Sequence, residues 1–233
     1  MNEVQFAFLG RTDYRECWSL QQHLCEERRA GRIPDTLLLT EHDPVYTIGR
    51  TGNDHHLLAG EEELRARAIP LVHNDRGGDI TYHGPGQLVG YPILDLHGYY
   101  LDLHRYLRDL EEVIIQTLEL YGVKAGRNLD YTGVWINGEK VCAIGIRTSR
   151  WITMHGFALN VTTDLSPFDR IIPCGIFERG VTSLAHILGR SVPLEEVGGH
   201  VTAAFGAVFD RDMRCMSPQE SAQFFEASNP SVF

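Results

Sequence analysis

The spacing of apolar positions along the chain predicts where helices form. Apolar residues recur at positions 103, 107, 110, 114, 118 and 121, which is the period of one buried helix face over Leu103–Tyr121. A second helix is predicted over Asp13–Ala30, because Asp13 and Glu16 have the spacing of a capping box and Gly31 can end the helix. Shorter patterns of the same kind predict helices at 61–68, 181–188 and 194–208.

Short apolar runs bounded by turn residues predict strands at 36–40, 45–49, 69–73, 87–96 and 151–161. Within GVWINGEKVCAIGIR (133–147), Asn137-Gly138 separates two alternating segments, which is the strongest short-range signal for a hairpin. This order of elements is typical of an α+β (mixed α/β) fold, with a largely antiparallel or mixed sheet packed against helices. We expect a single domain over 1–233, with a core at about 10–208 and a weakly patterned C-terminal tail at 209–233.

Composition and charge narrow the functional classes. A formal net charge of −10 argues against a general nucleic-acid-binding protein, which needs a basic face. The five cysteines are widely spaced and form no CxxC pair, which favours reduced thiols over a disulfide framework or a zinc site. No apolar run approaches the roughly 20 residues of a membrane span, and the N-terminal MNEVQFAFLG does not resemble a secretory signal. We therefore expect a cytoplasmic protein.

The segment RGGDITYHGPGQ (76–87) is unusually rich in glycine while keeping several polar side chains. Glycine serves where the backbone takes a positive φ or approaches another group closely, so the segment is typical of a loop shaped around a ligand. It contains no phosphate-binding GxxxxGK[ST] string, and the dinucleotide pattern GxGxxG fails because Val89 occupies the third glycine position. A wide hairpin turn is the simpler alternative interpretation.

Two of the cysteines are candidates for nucleophilic chemistry. Cys142 follows Lys140 by two residues on a predicted strand, so the two side chains are expected to share a face. Cys174 lies between Pro173 and Gly175 at the end of an apolar run, where a loop would display its thiol. A lysine beside a thiol favours the thiolate. Sequence spacing does not choose between the two cysteines, and the alternative bases are His83 and His155.

Four segments together resemble the lipoyl(octanoyl) transferase family, also called octanoyl-acyl-carrier-protein:protein octanoyltransferases. The resemblance covers about residues 35–190, and the segments occur in the same order as in the family. They are RGGDITYHGPGQLVGYPILDL (76–96), GVWINGEKVCAIGIR (133–147), MHGFALNV (154–161) and IIPCGIFERGVTSL (171–184).

The resemblance implies a fold similar to the biotin and lipoate protein ligases. It also implies that Cys174 forms an acyl-thioester intermediate and that Lys140 tunes the Cys174 thiol. The substrate-binding residues that it implies form three groups: Arg76, Gly77, Gly78, Asp79, Ile80, Thr81, Tyr82 and His83; Ala143, Ile144 and Gly145; and His155, Gly156, Phe157 and Ala158. For the apolar lining of the acyl pocket, we expect Ile80, Tyr82, Leu88 and Val89.

The resemblance further implies that no cofactor, ATP or metal is needed, since the donor carries its own phosphopantetheine. The implied partners are acyl carrier protein and the lipoyl domains of 2-oxoacid dehydrogenases and glycine cleavage H protein, without nucleic acid or membrane. A monomer is expected. Because such partners are usually acidic, we expect some basic residues to flank the pocket mouth, drawn from Lys124, Arg127, Arg147, Arg150, Arg170 and Arg179.

Three other interpretations remain open at this point. An ATP-dependent lipoate or biotin ligase of the same fold would form an acyl-adenylate and would not need Cys174. Its glycine motif is typically a run of three, whereas this chain has only Gly77-Gly78. A non-catalytic acyl-binding module and a thioesterase are the other two. Intact Lys140 and Cys174 argue against the non-catalytic module.

Overall fold

Eleven strands form two sheets in the computed structural model, which describes residues 2–172 and 180–228. The larger sheet has the strand order β11-β1-β2-β6-β10-β9-β8-β7, and the smaller has the order β4-β3-β5. The strands are β1 (Glu3–Thr12), β2 (Asp35–His42), β3 (Val45–Ile48), β4 (Leu71–His73), β5 (Ile80–His83), β6 (Gln87–Ile93), β7 (Gly126–Arg127), β8 (Val134–Ile136), β9 (Glu139–Ser149), β10 (Ile152–Asn160) and β11 (Asp212–Cys215).

The large sheet is mixed in direction. Strand β1 runs parallel to both β2 and β11, whereas the pairs from β2 through β6, β10, β9 and β8 to β7 are antiparallel. In the small sheet, β3 is parallel to β4 and antiparallel to β5. This arrangement confirms the mixed, largely antiparallel architecture that the sequence predicts.

Helices cover both faces of the large sheet, and the predicted helices are all present. The described helices are α1 (Tyr14–Arg29), α2 (Glu61–Arg67), α3 (Leu103–Glu119), α4 (Leu184–Leu188), α5 (Leu194–Phe209) and α6 (Pro218–Ser228). The side chain of Asp13 caps α1 by accepting from the backbone N–H groups of Arg15 and Glu16. None of the helices within the described residues has the length and apolar content needed to cross a membrane.

The two helical layers bury separate apolar clusters. On one face, Leu110 and Ile114 of α3 pack with Phe205 of α5 and with Phe157 of the sheet. On the other face, Leu20 and Leu24 of α1 pack with residues of β2, β6 and β10. Each large aliphatic side chain buried in this way contributes about 1.5–3 kcal/mol to stability. The central strands are therefore held from both sides, and this gives the site a rigid base.

Four described strands, β1, β5, β7 and β11, and one helix, α6, form where no element was predicted. Strands β1 and β11 pair in parallel across more than two hundred residues of sequence, which local patterning does not reveal. Strand β5 forms inside the glycine-rich segment and pairs with β3. The predicted weakly patterned tail contributes β11 and α6 within its described part, residues 209–228.

The predicted hairpin at Asn137-Gly138 is confirmed. Both residues have positive φ, at 50° and 89°, as a tight type I′ turn requires. The register between β8 and β9 shifts next to the turn, because Trp135 pairs with Lys140 whereas Val134 pairs with Cys142. Strand β9 therefore carries one extra residue at this point, which is a bulge that can redirect a side chain.

Candidate active site

A cavity of about 330 Å³ lies between strand β5 and strands β9 and β10. Fourteen of the fifteen residues predicted to bind substrate line it, and so does Lys140. Tertiary structure thus brings together three segments that are separated by about sixty and ten residues in the chain. The predicted residues in the lining are Arg76, Gly77, Gly78, Asp79, Ile80, Thr81, His83, Ala143, Ile144, Gly145, His155, Gly156, Phe157 and Ala158.

Tyr82 is the predicted binding residue that the cavity lining does not include. It lies between Thr81 and His83 on β5, and its side chain belongs to a buried apolar cluster with Tyr46 and Phe168. Its ring packs against Tyr46 and Phe168, with centroid distances of 5.5 and 5.6 Å. The expected apolar lining is therefore only partly correct. Ile80 and Val89 line the cavity, whereas Tyr82 and Leu88 belong to apolar clusters of the core.

The glycine-rich loop closes directly onto strand β9. The Gly77 N–H donates to the carbonyl oxygen of Ile146 at 2.8 Å. A Cβ on Gly145 would lie only 2.8 Å from the Gly77 carbonyl oxygen, and Gly78 has a φ of +91°. These glycines are needed because two backbone segments approach too closely for a side chain. The loop thereby forms one wall of the cavity.

Arg76 fixes the base of that loop. Its guanidinium donates to the backbone oxygen of Thr47 at 2.8 Å and to the Thr47 hydroxyl at 2.9 Å. The side chain is buried, so these bonds form where water does not compete. Arg76 therefore stabilises the loop in addition to lining the cavity.

His83 is held neutral by its surroundings. Its Nδ1–H donates to Gln87 Oε1 at 2.7 Å, because an amide oxygen can only accept, and its ring stacks on Tyr14 at 5.7 Å. Burial, together with the neighbouring His42, lowers the pKa of His83 to about 3. A base this weak does not accept a proton from an alkylammonium group to a useful extent, so His83 suits hydrogen bonding better than proton transfer.

The other cavity histidine, His155, is strained and buried. Its φ is +59°, and its backbone N–H donates to Gln21 Oε1 at 2.9 Å. Its Nε2–H donates to Asp75 Oδ1 at 2.7 Å, and no residue within 2–172 or 180–228 gives Nδ1 a hydrogen-bond partner. Burial lowers the pKa of His155, although Asp75 opposes this effect. Neutral His155 therefore presents an acceptor nitrogen.

Asp75 joins His155 to Arg147, with which it forms an ion pair. Burial acts to raise the pKa of Asp75, but the hydrogen bond from His155 and the charge of Arg147 oppose it, and the net pKa is lowered. Asp75 was not singled out in the sequence. A carboxylate directly before the glycine-rich segment is the only local signal for it.

Lys140 lines the cavity and is bonded to the segment that begins at Gly180. Its backbone N–H donates to Gly180 O and its carbonyl accepts from Thr182 N–H, both at 3.0 Å. Its Nζ lies 4.9 Å from the ring centroid of Trp135. Cys174, the predicted nucleophile, and the basic residue Arg179 lie outside the described residues.

The chain before residue 173 is also anchored beside the cavity. The Ile172 N–H donates to the carbonyl of His56 at 2.8 Å. The His56 imidazole bonds to the Asp79 carboxylate, with Nδ1 and Oδ2 2.5 Å apart. Asp79 lines the cavity, so this link connects the glycine-rich loop to the segment that leads into Cys174.

Cys142 does not share a face with Lys140, contrary to the expectation from spacing. Cys142 is fully buried in the apolar core, whereas Lys140 is half-buried and lines the cavity. The extra residue in β9 interrupts the alternation of side chains between them. Burial raises the pKa of the Cys142 thiol far above its usual value, which makes Cys142 an inert core residue.

Three of the arginines expected near the pocket mouth form ion pairs with carboxylates. Arg127 pairs with Glu111 and Glu112, Arg170 with Glu63, and Arg147 with Asp75. A basic docking patch stays a prediction. Within the described ranges, no cluster of three His, Cys, Asp or Glu side chains is placed to hold a metal ion.

Comparisons with known proteins agree with this geometry. A family model described as the lipoyl protein ligase A/B catalytic domain matches residues 13–206. The chain is 58% identical over 201 residues to an octanoyltransferase of Rubrobacter xylanophilus, covering 85% of this chain and 90% of that protein. It is 50% identical over 205 residues to an octanoyltransferase of Solibacter usitatus, covering 88% and 92% of the two proteins.

A solved structure of lipoate-protein ligase A bound with ATP matches with a TM-score of 0.76. The match has 17% sequence identity and covers 97% of this chain and 94% of that one. This likeness bears on the fold alone, and it confirms the fold class predicted from the sequence.

Proposed function

The chain belongs to the lipoyl protein ligase A/B catalytic domain family, and we propose that it is an octanoyltransferase of lipoate biosynthesis. It transfers an octanoyl group from octanoyl-acyl carrier protein to a lysine of a lipoyl domain. The observation that carries this proposal is the single cavity in which Lys140 and fourteen predicted binding residues meet. The two relatives with that name, at 58% and 50% identity, support the same substrate.

In the first step, the Cys174 thiolate attacks the carbonyl carbon of the octanoyl thioester. The tetrahedral intermediate collapses, the bond to the carrier's pantetheine sulfur breaks, and the pantetheine leaves as a thiolate that takes up a proton. Octanoyl-Cys174 remains. The Lys140 ammonium stabilises the attacking thiolate, and a nearly balanced exchange of one thioester for another makes this step reversible.

In the second step, the neutral amine of the acceptor lysine attacks octanoyl-Cys174. The carbon–sulfur bond breaks, an amide forms, and the surplus proton of the amine goes to the departing Cys174 sulfur or to a base beside it. An amide is more stable than a thioester, so this step drives the transfer forward. His83 is a poor choice for this base because burial lowers its pKa to about 3.

The cavity has an apolar wall that suits an acyl chain. Ile144, Phe157 and Ala158 come from the adjacent strands β9 and β10 and contribute to this wall. Burial of an alkyl chain there contributes about 0.8 kcal/mol per methylene. Two of the polar lining residues, Arg76 and His83, are engaged in hydrogen bonds with the protein itself. An uncharged eight-carbon chain is compatible with this lining.

We also propose that transfer needs no ATP, cofactor or metal, because a thioester donor is already activated. An ATP-dependent ligase is the second candidate, since the fold is shared with lipoate-protein ligase A. The relatives at 45–58% identity are named octanoyltransferases, which favours the transferase. Acyl carrier and lipoyl domains are the general partners, and we propose lipoyl domains of 2-oxoacid dehydrogenases and glycine cleavage H protein, with a monomeric enzyme in the cytoplasm.

Intact-protein mass spectrometry tests the proposal directly. Wild type and Cys174→Ala are mixed with octanoyl-acyl carrier protein without ATP, and apo lipoyl domain is then added. We expect an octanoyl adduct on wild type alone, followed by its transfer to the lipoyl domain. Transfer that requires ATP and free octanoate, with no adduct on either protein, would replace the transferase with the ligase.

A further inference from the structure

Trp135 and Lys140 face each other across the β8–β9 hairpin. They form a directly opposed pair in the register, so their side chains leave the same face of the sheet. The Lys140 Nζ lies 4.9 Å from the centroid of the Trp135 ring. Among aromatic side chains, a tryptophan face attracts an ammonium ion most strongly.

The indole ring is itself held in place. Trp135 is 6% exposed, and its Nε1–H donates to the carbonyl of Tyr131 at 3.3 Å. The loop that carries Tyr131 is closed by Asn128, whose side-chain oxygen accepts from the N–H groups of Asp130 and Tyr131 at 2.8 and 3.2 Å. The ring therefore presents a fixed face to the lysine.

The stem of Lys140 passes beside Gly133. A Cβ on Gly133 would lie 3.5 Å from Lys140 Cε and 2.5 Å from the carbonyl oxygen of Cys142. Gly133 has a φ of +125°, and its N–H donates to the buried carboxylate of Glu111 at 3.0 Å. Together with the two backbone bonds of Lys140 to Gly180 and Thr182, these contacts limit where the ammonium group can lie.

We propose that Trp135 is a positioning residue for Lys140, because its indole face keeps the ammonium group charged and at the cavity wall. This inference rests on the proposed function, in which that charge stabilises the Cys174 thiolate. Trp135 does not itself line the cavity, so it acts through the lysine and not on the substrate. The two-residue turn at Asn137-Gly138 places the two side chains opposite each other, and the extra residue in β9 comes after Lys140.

Single-turnover acylation by octanoyl-acyl carrier protein tests the inference. Rates are measured between pH 6 and 9 for wild type, Trp135→Leu, Trp135→Phe, Lys140→Ala and the Lys140→Ala/Trp135→Leu double variant. We expect Trp135→Leu to slow acylation about 2- to 30-fold, the range of a cation–π contact. Its pH profile should move to higher pH while the carrier concentration for half-maximal rate stays unchanged. Trp135→Phe, which keeps a ring face, should retain more activity.

The double variant separates positioning from a general structural role. If Trp135 acts through the lysine, Trp135→Leu has no further effect once Lys140 is alanine. Equal losses in both backgrounds, or equal rates for Leu and Phe, would overturn the inference. The half-buried Trp151, in the turn between β9 and β10 and outside the cavity lining, gives the control Trp151→Leu, which should acylate like wild type.

Failure of the proposed function would look different. Wild type would then form no octanoyl adduct at all, whereas failure of the inference leaves wild-type acylation intact and the Trp135→Leu pH profile unmoved. If Trp135→Leu does not fold, as judged by circular dichroism, Trp135→Phe alone carries the test. A loss of acylation rate caused by Trp135→Phe that is equally large in the wild-type and Lys140→Ala backgrounds would then overturn the inference.

Discussion

The imidazole of His155 donates its Nε2 proton to Asp75 Oδ1 across 2.7 Å, while its backbone is held at a φ of +59°. This pair connects β10 to the start of the glycine-rich loop. A hydrogen bond to a charged group contributes about 1.5–3 kcal/mol to the free energy of unfolding. Since Asp75 is 28% exposed, we expect a value near the lower limit.

Asp75→Asn is therefore expected to lower the free energy of unfolding by about 1.5 kcal/mol. Urea denaturation at pH 7 measures this change. The matched control is Asp54→Asn, because Asp54 bonds to His73 at a similar 2.8 Å but on the exposed surface. The control should have little effect. Equal losses of unfolding free energy in the two variants would show that the pair of Asp75 and His155 stabilises the protein no more than an exposed pair does.

Stability should fall in mild acid because of two buried histidines. Burial lowers the pKa of His42 to about 4 and of His83 to about 3, whereas in the unfolded chain both titrate near 6.5. Between about pH 6.5 and 4, the unfolded state therefore binds more protons than the folded state does. Each histidine then removes up to about 1.4 kcal/mol of stability per pH unit.

Urea midpoints at pH 7.5, 6.5, 5.5 and 5.0 check this expectation. The slope of stability against pH below 6.5 should flatten in His42→Asn and in His83→Asn, whatever the change in absolute stability. Slopes parallel to that of wild type in both variants would contradict it.

Gly145→Ala should open the wall of the cavity. The added methyl would meet the Gly77 carbonyl at 2.8 Å, which is backbone and cannot rotate away, so the Gly77–Ile146 hydrogen bond should be strained or lost. We expect a loss of about 1–3 kcal/mol in unfolding free energy and weaker octanoyl binding. Gly126→Ala is the control, because a Cβ there meets nothing within 4 Å. Equal changes in unfolding free energy and in octanoyl binding for the two variants would contradict the proposed steric clash.

Thiol alkylation should separate the cysteines. Burial raises the pKa of Cys17 and Cys25 to about 12 and that of Cys142 further still, so iodoacetamide at pH 7.5 should leave these three unmodified in the native protein. The exposed Cys215 should react. From the proposed mechanism we expect Cys174 to react as well, and more slowly in Lys140→Ala. Peptide mapping by mass spectrometry locates the label, and rapid labelling of Cys142 would reopen its candidacy as nucleophile.

Much of the architecture follows from local sequence. The apolar period of α3, the Asp13 cap of α1 and the Asn137-Gly138 turn each depend on residues within a few positions of one another. Burial of one helix face and hydrogen bonding of nearby backbone groups depend on residues that are close in sequence, so both can be predicted from the sequence. The glycines of the 76–87 segment indicated close backbone approach in the same way, although the segment they approach was not identifiable.

Only the tertiary structure decided which side chains meet. Three contacts show this: the parallel pairing of β1 with β11, the packing of Tyr82 against Tyr46 and the hydrogen bond between His155 and Asp75. Each joins residues that are far apart in the sequence, and no nearby residue predicts the contact. The extra residue in β9 is the clearest case. Strict alternation places Lys140 and Cys142 on the same face, but the bulge between them sets Cys142 opposite Val134 and leaves it in the core. Such a bulge is decided by pairing between strands, and therefore by the fold as a whole.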